Sequence, residues 1–563
     1  MIKSRILKLK KKIKKYDLDY YLVPKNDHYF NEYPLQDRLK YISNFDGSAG
    51  LAVISKKNDD YLFVDGRYTT QANLQSGKNF KIKEISEKLP FHILKEGIKV
   101  GFNPYHFTNS RLHQLFKDKY NLIPIKEDIL NVKKKIKKIS KFYLLDSSIT
   151  GETSLSKIKK IVKFIKSKNS EYLFITSSEN VAWLLNIRGH DNPYNPTPNC
   201  KLIISNSGKI NIFTNKKKIS KTLESKLKFQ NIYEEQNLEN FICNLNFKRI
   251  IVDTNSCSFA YTSLILKNGK IANINDPIYL MKSIKSNSEI KNTIDVHIKD
   301  GVAMTKFLYW VKKNNKNLTE IGAEKKLESF RRKNKKYLYP SFNTIAASGP
   351  NGAIIHYKAS RITNRTLNKQ DLFLCDSGGQ YKYGTTDVTR TICFSTQSKR
   401  IKNLYTKVLK GHIAVATTQI EKGINGTIID KKARKFLNQN NLDYAHGTGH
   451  GVGFFLNVHE GPVAISKFNK VKILPGMIMS NEPGYYKKNC FGIRIENLLY
   501  VKKNNNNLIF QNLTMVPLEK DLINFDLLNK SEKNYLMSYN IEVYSKIRKY
   551  LKPDERRWVL SQI

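Results

Sequence analysis

The chain has 563 residues, more than one hydrophobic core organises, so about three domains are expected. Hydrophobic residues make up 40% and aromatics 11%, which excludes a disordered chain, and no apolar run is long enough to cross a bilayer. The formal charge of +49 would suit a polyanionic partner. Lysine far exceeds arginine, however, Asn and Ile are abundant, and only short clusters such as residues 133–138 occur. With no RNP-type aromatic pattern and no zinc finger, the charge reads as composition, and a nucleic-acid partner is not expected.

A first helix is predicted from Ile2, Ile6, Leu9, Ile13 and Tyr16, which fall at helical spacing. The same stretch lacks the unbroken apolar segment of a signal peptide. Residues 1–127 then alternate helix and strand signals, with strand-like runs at 51–55 and 61–65 punctuated by Gly47, Gly50 and Gly66. A lysine-rich link over 133–141 leads to a second alternating block from Phe142 to about Tyr279. Residues 41–47 (YISNFDG) are echoed in spacing by 183–189 (WLLNIRG), each ahead of a strand-like run, which suggests two copies of one α/β unit.

A third block opens on a helix capped by Ser286, Asn287 or Ser288, with Glu289 in its first turn and amphipathic spacing to Trp310. From Tyr339 onward strands and glycine-rich turns are expected, then two tail helices over Ser531–Tyr539 and Ile541–Leu551. The expected domains are 1–127, 128–283, 284–510 and a C-terminal extension 511–563. The fold class is α/β (α+β). The six cysteines (Cys200, Cys243, Cys257, Cys375, Cys393, Cys490) are far apart and form no CxxC pair. They argue against a disulfide scaffold and a structural zinc site, and for a reducing cytoplasm.

Five residues of the third block suit a two-metal site: Asp376, Asp387, His450, Glu482 and Glu496. Residues 371–376 read as a buried strand, Ser377-Gly378-Gly379 as a turn and 385–394 as the partner strand, a hairpin that brings Asp376 near Asp387. Two such carboxylates repel unless a cation lies between them; the plainer reading is a pair of turn aspartates. His446 and His450 are four apart, but Gly447, Gly449, Gly451 and Gly453 make a helix untenable there, so extended backbone passing close to a ligand is expected. Glu482 precedes Pro483-Gly484 at an expected strand end. Residues 491–501 read as one alternating strand with Arg494 and Glu496 on one face, whose plainer reading is an exposed salt-bridge face. Four carboxylates and an imidazole form the oxygen-rich set that two divalent cations neutralise, and the chemistry that follows is metal-assisted hydrolysis.

These residues and their contexts resemble the pita-bread metallopeptidases, whose ordered D…D…H…E…E pattern is present in full. Residues 353–357 (AIIHY), 383–391 (YGTTDVTRT), 446–453 (HGTGHGVG), 457–462 (NVHEGP) and 481–486 (NEPGYY) are similar to the Xaa-Pro aminopeptidase branch. So are 41–50 (YISNFDGSAG), 64–72 (VDGRYTTQA) and 182–196 (AWLLNIRGHDNPYNP), which resemble the two creatinase-like N-terminal domains of its long form. The resemblance implies release of the residue ahead of a second-position proline, by attack of a dimetal-bridging hydroxide on the Xaa-Pro amide. It implies two divalent cations, usually Mn²⁺ with Zn²⁺ or Co²⁺ as alternatives, and a homodimer. Asp376 and Glu496 would bridge, with Asp387 on one metal and His450 and Glu482 on the other. Glu482 would also move the proton, His356, His446 and His459 would bind substrate, and Arg494 would fix a ligand. Two rivals remain. A prolidase of the same fold usually has one N-terminal domain, and a non-catalytic binding protein would not need the five ligands.

Overall fold

The computed structural model describes residues 2–132, 140–227, 230–421, 423–505 and 507–563; most of the lysine-rich link at 133–141 lies outside them. Residues 1–147 with 152–278 form one compact unit, and 148–151 with 279–563 form a second.

The first helix, Ile2–Lys15, buries Ile6, Leu9 and Ile13, one turn apart on one face. It packs on a six-stranded sheet built from β1 (Tyr20–Pro24), β2 (Leu51–Ser55), β3 (Tyr61–Val64), β4 (Lys81–Glu84), β5 (Lys99–Phe102) and β6 (Asn121–Pro124), in the order β4-β3-β2-β1-β5-β6. A second sheet follows from β7 (Tyr172–Ile175), β8 (Lys201–Ser205), β9 (Ile210–Thr214), β10 (Gln230–Glu234), β11 (Arg249–Val252) and β12 (Lys270–Asn273). Its order is β10-β9-β8-β7-β11-β12, the first order repeated. The pairings repeat as well: β1 is antiparallel to β2 and parallel to β5, and β7 is antiparallel to β8 and parallel to β11. The seven-residue echo therefore marks a true internal repeat. Its shared Asn follows a short helix with positive φ, +68° at the cap Asn44 and +53° at Asn186 just past the cap Leu185, a conformation Asn tolerates better than most side chains.

The second unit opens on helix Asn287–Lys313, capped by Ser286 with Glu289 closing a capping box. Strand Leu372–Ser377 pairs antiparallel with Val388–Cys393 as expected, Asp376 opposite Thr389. The connection is longer than the expected turn, because residues 379–381 and 384–385 form their own hairpin beside Tyr337–Pro340. A six-stranded sheet holds Gly449–Gly451 between Glu460–Ile465 and Ile478–Asn481. The expected single strand over 491–501 is broken: Phe491–Arg494 and Asn497–Asn504 belong to different sheets, with Ile495 and Glu496 at the corner.

Two helices interrupt the region read as strands and turns, Lys399–Ala416 and Gly426–Asn438. Gly411 and a β-branched tail weaken the helical signal of the first. Gly411 is there for packing, since a Cβ would lie 2.4 Å from the Ala433 carbonyl of the second helix. The tail is one helix over Lys530–Ile547 and another over Pro553–Ser561, so the break falls later than expected. Leu536, Tyr539, Val543 and Val559 join the same core as Leu404, Val408, Ile493 and Ile495, so the tail completes a core of the second unit. No described helix is long and apolar enough to cross a membrane.

Candidate metal centre

Asp376 is the penultimate residue of a fully buried strand, and Asp387 directly precedes its partner strand. Glu482 follows strand Ile478–Asn481, and its amide donates to the Thr448 carbonyl at 2.8 Å. The Glu496 amide donates to the Thr389 carbonyl at 3.1 Å, so the strand corner hangs this carboxylate beside the Asp376 strand. The alternating glycines around His450 have a steric cause. A Cβ at Gly449 would lie 2.0 Å from the Ser480 carbonyl, and one at Gly451 2.2 Å from that of Glu460. The expected close approach is therefore to neighbouring strands.

Ligand atoms of Asp387, His450 and Glu496 all lie within 4.8 Å of one another. His450 Nε2 is 3.6 Å from Asp387 Oδ2 and 3.5 Å from Glu482 Oε1, long for hydrogen bonds. Its Nδ1 lies 2.9 Å from the Gly451 carbonyl, which only accepts, so Nδ1 carries a proton and Nε2 is the ring atom that faces the carboxylates. Asp376 Oδ2 accepts from Arg494 Nη2 at 2.6 Å, while Oδ1 of both Asp376 and Asp387 is buried without a hydrogen-bond partner. Buried carboxylate oxygens are rarely left so, and cation coordination is what satisfies them.

The electrostatics agree. Burial, then the charges of Asp376 and Glu482, push Asp387 up to about 6 although His450 pulls it down. Burial and the same carboxylates raise Glu496 well above the usual range. Burial works against a charged His450, yet its contact with Asp387 and the charge of Glu482 lift it to about 9. Four carboxylates thus face one guanidinium, and the donor set fits divalent metal.

Arg494 is 1% exposed, so the plainer reading of a solvated salt-bridge face is excluded. Besides Asp376 it donates to Thr389 Oγ1 at 3.2 Å, the Tyr486 hydroxyl at 2.7 Å and the Ile355 carbonyl at 3.3 Å. That last contact brings the residue next to half-buried His356 towards the site. His446 gives its Nδ1 proton to the Gly447 carbonyl at 2.8 Å, so Nε2 accepts from Tyr486 at 2.9 Å; Nδ1 lies 3.9 Å from Glu482. The His459 ring meets the His450 ring edge-on, centroids 4.5 Å apart.

Several partners escaped the sequence reading. Thr389 donates to Glu496 Oε2 at 2.7 Å and Ser480 to Glu482 Oε1 at 3.1 Å. Tyr486 joins His446 to Arg494. Arg434 donates to the His446 carbonyl at 2.6 Å and pairs with Asp430 at 2.8 Å, tying the histidine loop to helix Gly426–Asn438. Thr389 and Tyr486 stood in quoted motifs; Ser480 and Arg434 carry no local signal.

A mixed α/β domain that gathers four carboxylates and a tautomer-fixed imidazole defines a metal-dependent hydrolase. Family comparison matches residues 292–503 to "Metallopeptidase family M24", 5–132 and 133–289 each to "Creatinase/Prolidase N-terminal domain", and 506–563 to the C-terminal region of peptidase M24. A "Probable Xaa-Pro aminopeptidase P" from Laccaria bicolor is 35% identical over 98% of this chain and 91% of its own length. "Xaa-Pro aminopeptidase 1" from Dictyostelium discoideum is 34% identical over 100% and 96%. The crystal structure of X-prolyl aminopeptidase from Caenorhabditis elegans, described as a cytosolic enzyme with a di-nuclear active site, superposes with a TM-score of 0.92 at 28% identity, covering 100% of this chain and 99% of that one. The chain belongs to metallopeptidase family M24, in its long branch of Xaa-Pro aminopeptidases with creatinase-type N-terminal domains, and is a metalloaminopeptidase.

Proposed function

We propose that this enzyme releases the N-terminal residue from peptides with proline in second position, with Glu482 as its proton-transferring group. The observation that carries the reading is the convergence of His450 on Asp387, Glu482 and Glu496, in a chain similar over its whole length to Xaa-Pro aminopeptidases. Asp376 and Glu496 would be shared by two divalent cations, with Asp387 on one and His450 and Glu482 on the other. The oxygen-rich set favours Mn²⁺, with Zn²⁺ and Co²⁺ as alternatives. Such cations, when bound, supply Lewis acidity and a water acidified towards neutral pH.

Glu482 keeps 18% of its side chain exposed and is steadied by Ser480, which suits a carboxylate that takes a proton from water and delivers it to the leaving nitrogen. That nitrogen belongs to a tertiary amide without N–H, so the site must accept the proline ring there and needs no hydrogen-bond acceptor for it. His446, whose Nε2 meets the Tyr486 hydroxyl, would orient substrate. His459, beside His450, would donate to the oxyanion, and His356 would hold the substrate backbone. Arg494 fixes Asp376. Six unpaired cysteines support a reducing cytoplasm, and a homodimer is the assembly the resemblance implies. We place domain limits at 1–127, 128–283, 284–510 and 511–563.

The test is hydrolysis of an Xaa-Pro-Xaa tripeptide by chelator-stripped protein, with and without Mn²⁺. Release of the first amino acid only with metal is expected. Cleavage of Xaa-Pro dipeptides alone would make the enzyme a dipeptidase. No release from either substrate with any divalent cation would overturn the reading.

A further inference from the structure

A second buried charge cluster adjoins the site and has no part in the chemistry above. Lys282 Nζ lies 3.1 Å from Glu460 Oε2 and Lys285 Nζ 2.6 Å from Oε1, and all three side chains are 1% exposed. Three buried charges, two of one sign, are costly, and apolar side chains of similar size would pack as well. The position of the cluster supplies a reason for it. Glu460 opens strand Glu460–Ile465 and is the register partner of Gly451, the residue after the ligand His450. Its Oε2 lies 2.8 Å from where a Cβ at Gly453 would be, so the carboxylate also fills the space under the glycine loop. The residue before it is His459, whose ring meets that of His450.

The two lysines come from the segment that leads into helix Asn287–Lys313. That segment is itself pinned: the Lys285 amide donates to the Gly476 carbonyl at 3.0 Å, and Ile284 bridges Met477. His459 lies in the bend immediately ahead of this strand, so a carboxylate held at 460 anchors the backbone from which the 459 ring projects.

We infer that Glu460 is a positioning residue: gripped by Lys282 and Lys285, it fixes the backbone on which His459 stands and sets that ring against His450. This rests on the reading of His459 as part of the site. The test is a double-mutant cycle on the Mn²⁺-loaded full chain with an Xaa-Pro-Xaa tripeptide. Glu460→Gln should lower kcat by roughly tenfold or more, with KM and bound metal unchanged. In a His459→Ala background the same change should cost less than about twofold, because the two residues act as one. If Glu460→Gln does not fold, Lys282→Met, which leaves Lys285 on the carboxylate, should show a smaller loss that also vanishes without His459. Equal losses in both backgrounds, or loss of metal, would overturn the inference, since Glu460 would then support the fold or the ligand loop as a whole. His459→Ala at the unmutated rate would instead sink the role of His459, and this inference with it.

Discussion

Buried charge is treated in two ways in this molecule. In the N-terminal unit, buried Lys157 and Lys201 both meet built partners. Lys157 donates to the Trp183 carbonyl at 3.0 Å and Asn186 Oδ1 at 2.7 Å, with the Trp183 ring 4.0 Å away, and Lys201 meets Glu235 at 3.1 Å over the Tyr29 ring. Within the second unit, Asp300 pairs with Arg331 and Tyr381 in the same manner. At the metal centre, carboxylates crowd one arginine and two aspartate oxygens have no partner. A fold keeps matched charges where they hold its parts together. It keeps unmatched ones, at a cost in stability, where a ligand is to complete them.

The contrast can be broken most sharply at Glu482. Glu482→Ala removes both a metal ligand and the proton carrier, and tripeptide turnover should fall by at least about a thousandfold. Arg494→Lys tests the guanidinium of the site. An ammonium cannot reach Asp376, Thr389, Tyr486 and the Ile355 carbonyl together, so metal affinity by calorimetry should drop roughly 10- to 100-fold.

Acidity sharpens the comparison further. Asp387 is raised in the fold, so the metal-free folded state holds a proton that the unfolded chain loses, and stability declines as pH rises from about 4 to about 6. His450 is raised too, and its contribution, full below about 6.5, is lost as pH rises through about 9. Measured against an Asp387→Asn variant, the chelator-treated protein should therefore lose melting temperature as pH rises from about 4 to about 6, and added Mn²⁺ should restore it at the alkaline end. A difference that moves the other way with pH would refute the crowding. The smallest effect is expected in the N-terminal unit. Lys157→Met leaves two acceptors without their donor and should cost about 2 kcal/mol in urea unfolding, with kcat per folded molecule unchanged.

Much of this architecture was legible in the chain. The capping box at Ser286, the face of Ile6, Leu9 and Ile13, and the strand pair carrying Asp376 and Asp387 follow from rules that act over a few residues. Helix Lys399–Ala416 was not legible, because Gly411 is chosen for its contact with Ala433 in the next helix, against local propensity. The corner at Ile495-Glu496 was hidden too, because alternation continues through it while the chain changes sheets. Likewise Arg434 and Thr389 act on His446 and Glu496 across gaps in sequence that no local pattern spans.

By itself, the sequence determined the chemistry available here, since ligand types and their order are properties of residues: four carboxylates, an imidazole, and glycines where backbones must touch. It also determined the two-fold repeat of the N-terminal sheets, whose turn asparagines are locally required. Tertiary structure alone decided which oxygens would be paired and which left open, that Arg494 would hold Asp376, and that Glu460 would be clamped between two lysines. Those outcomes depend on burial and on contacts between distant segments, which exist only after the strands have closed around the site.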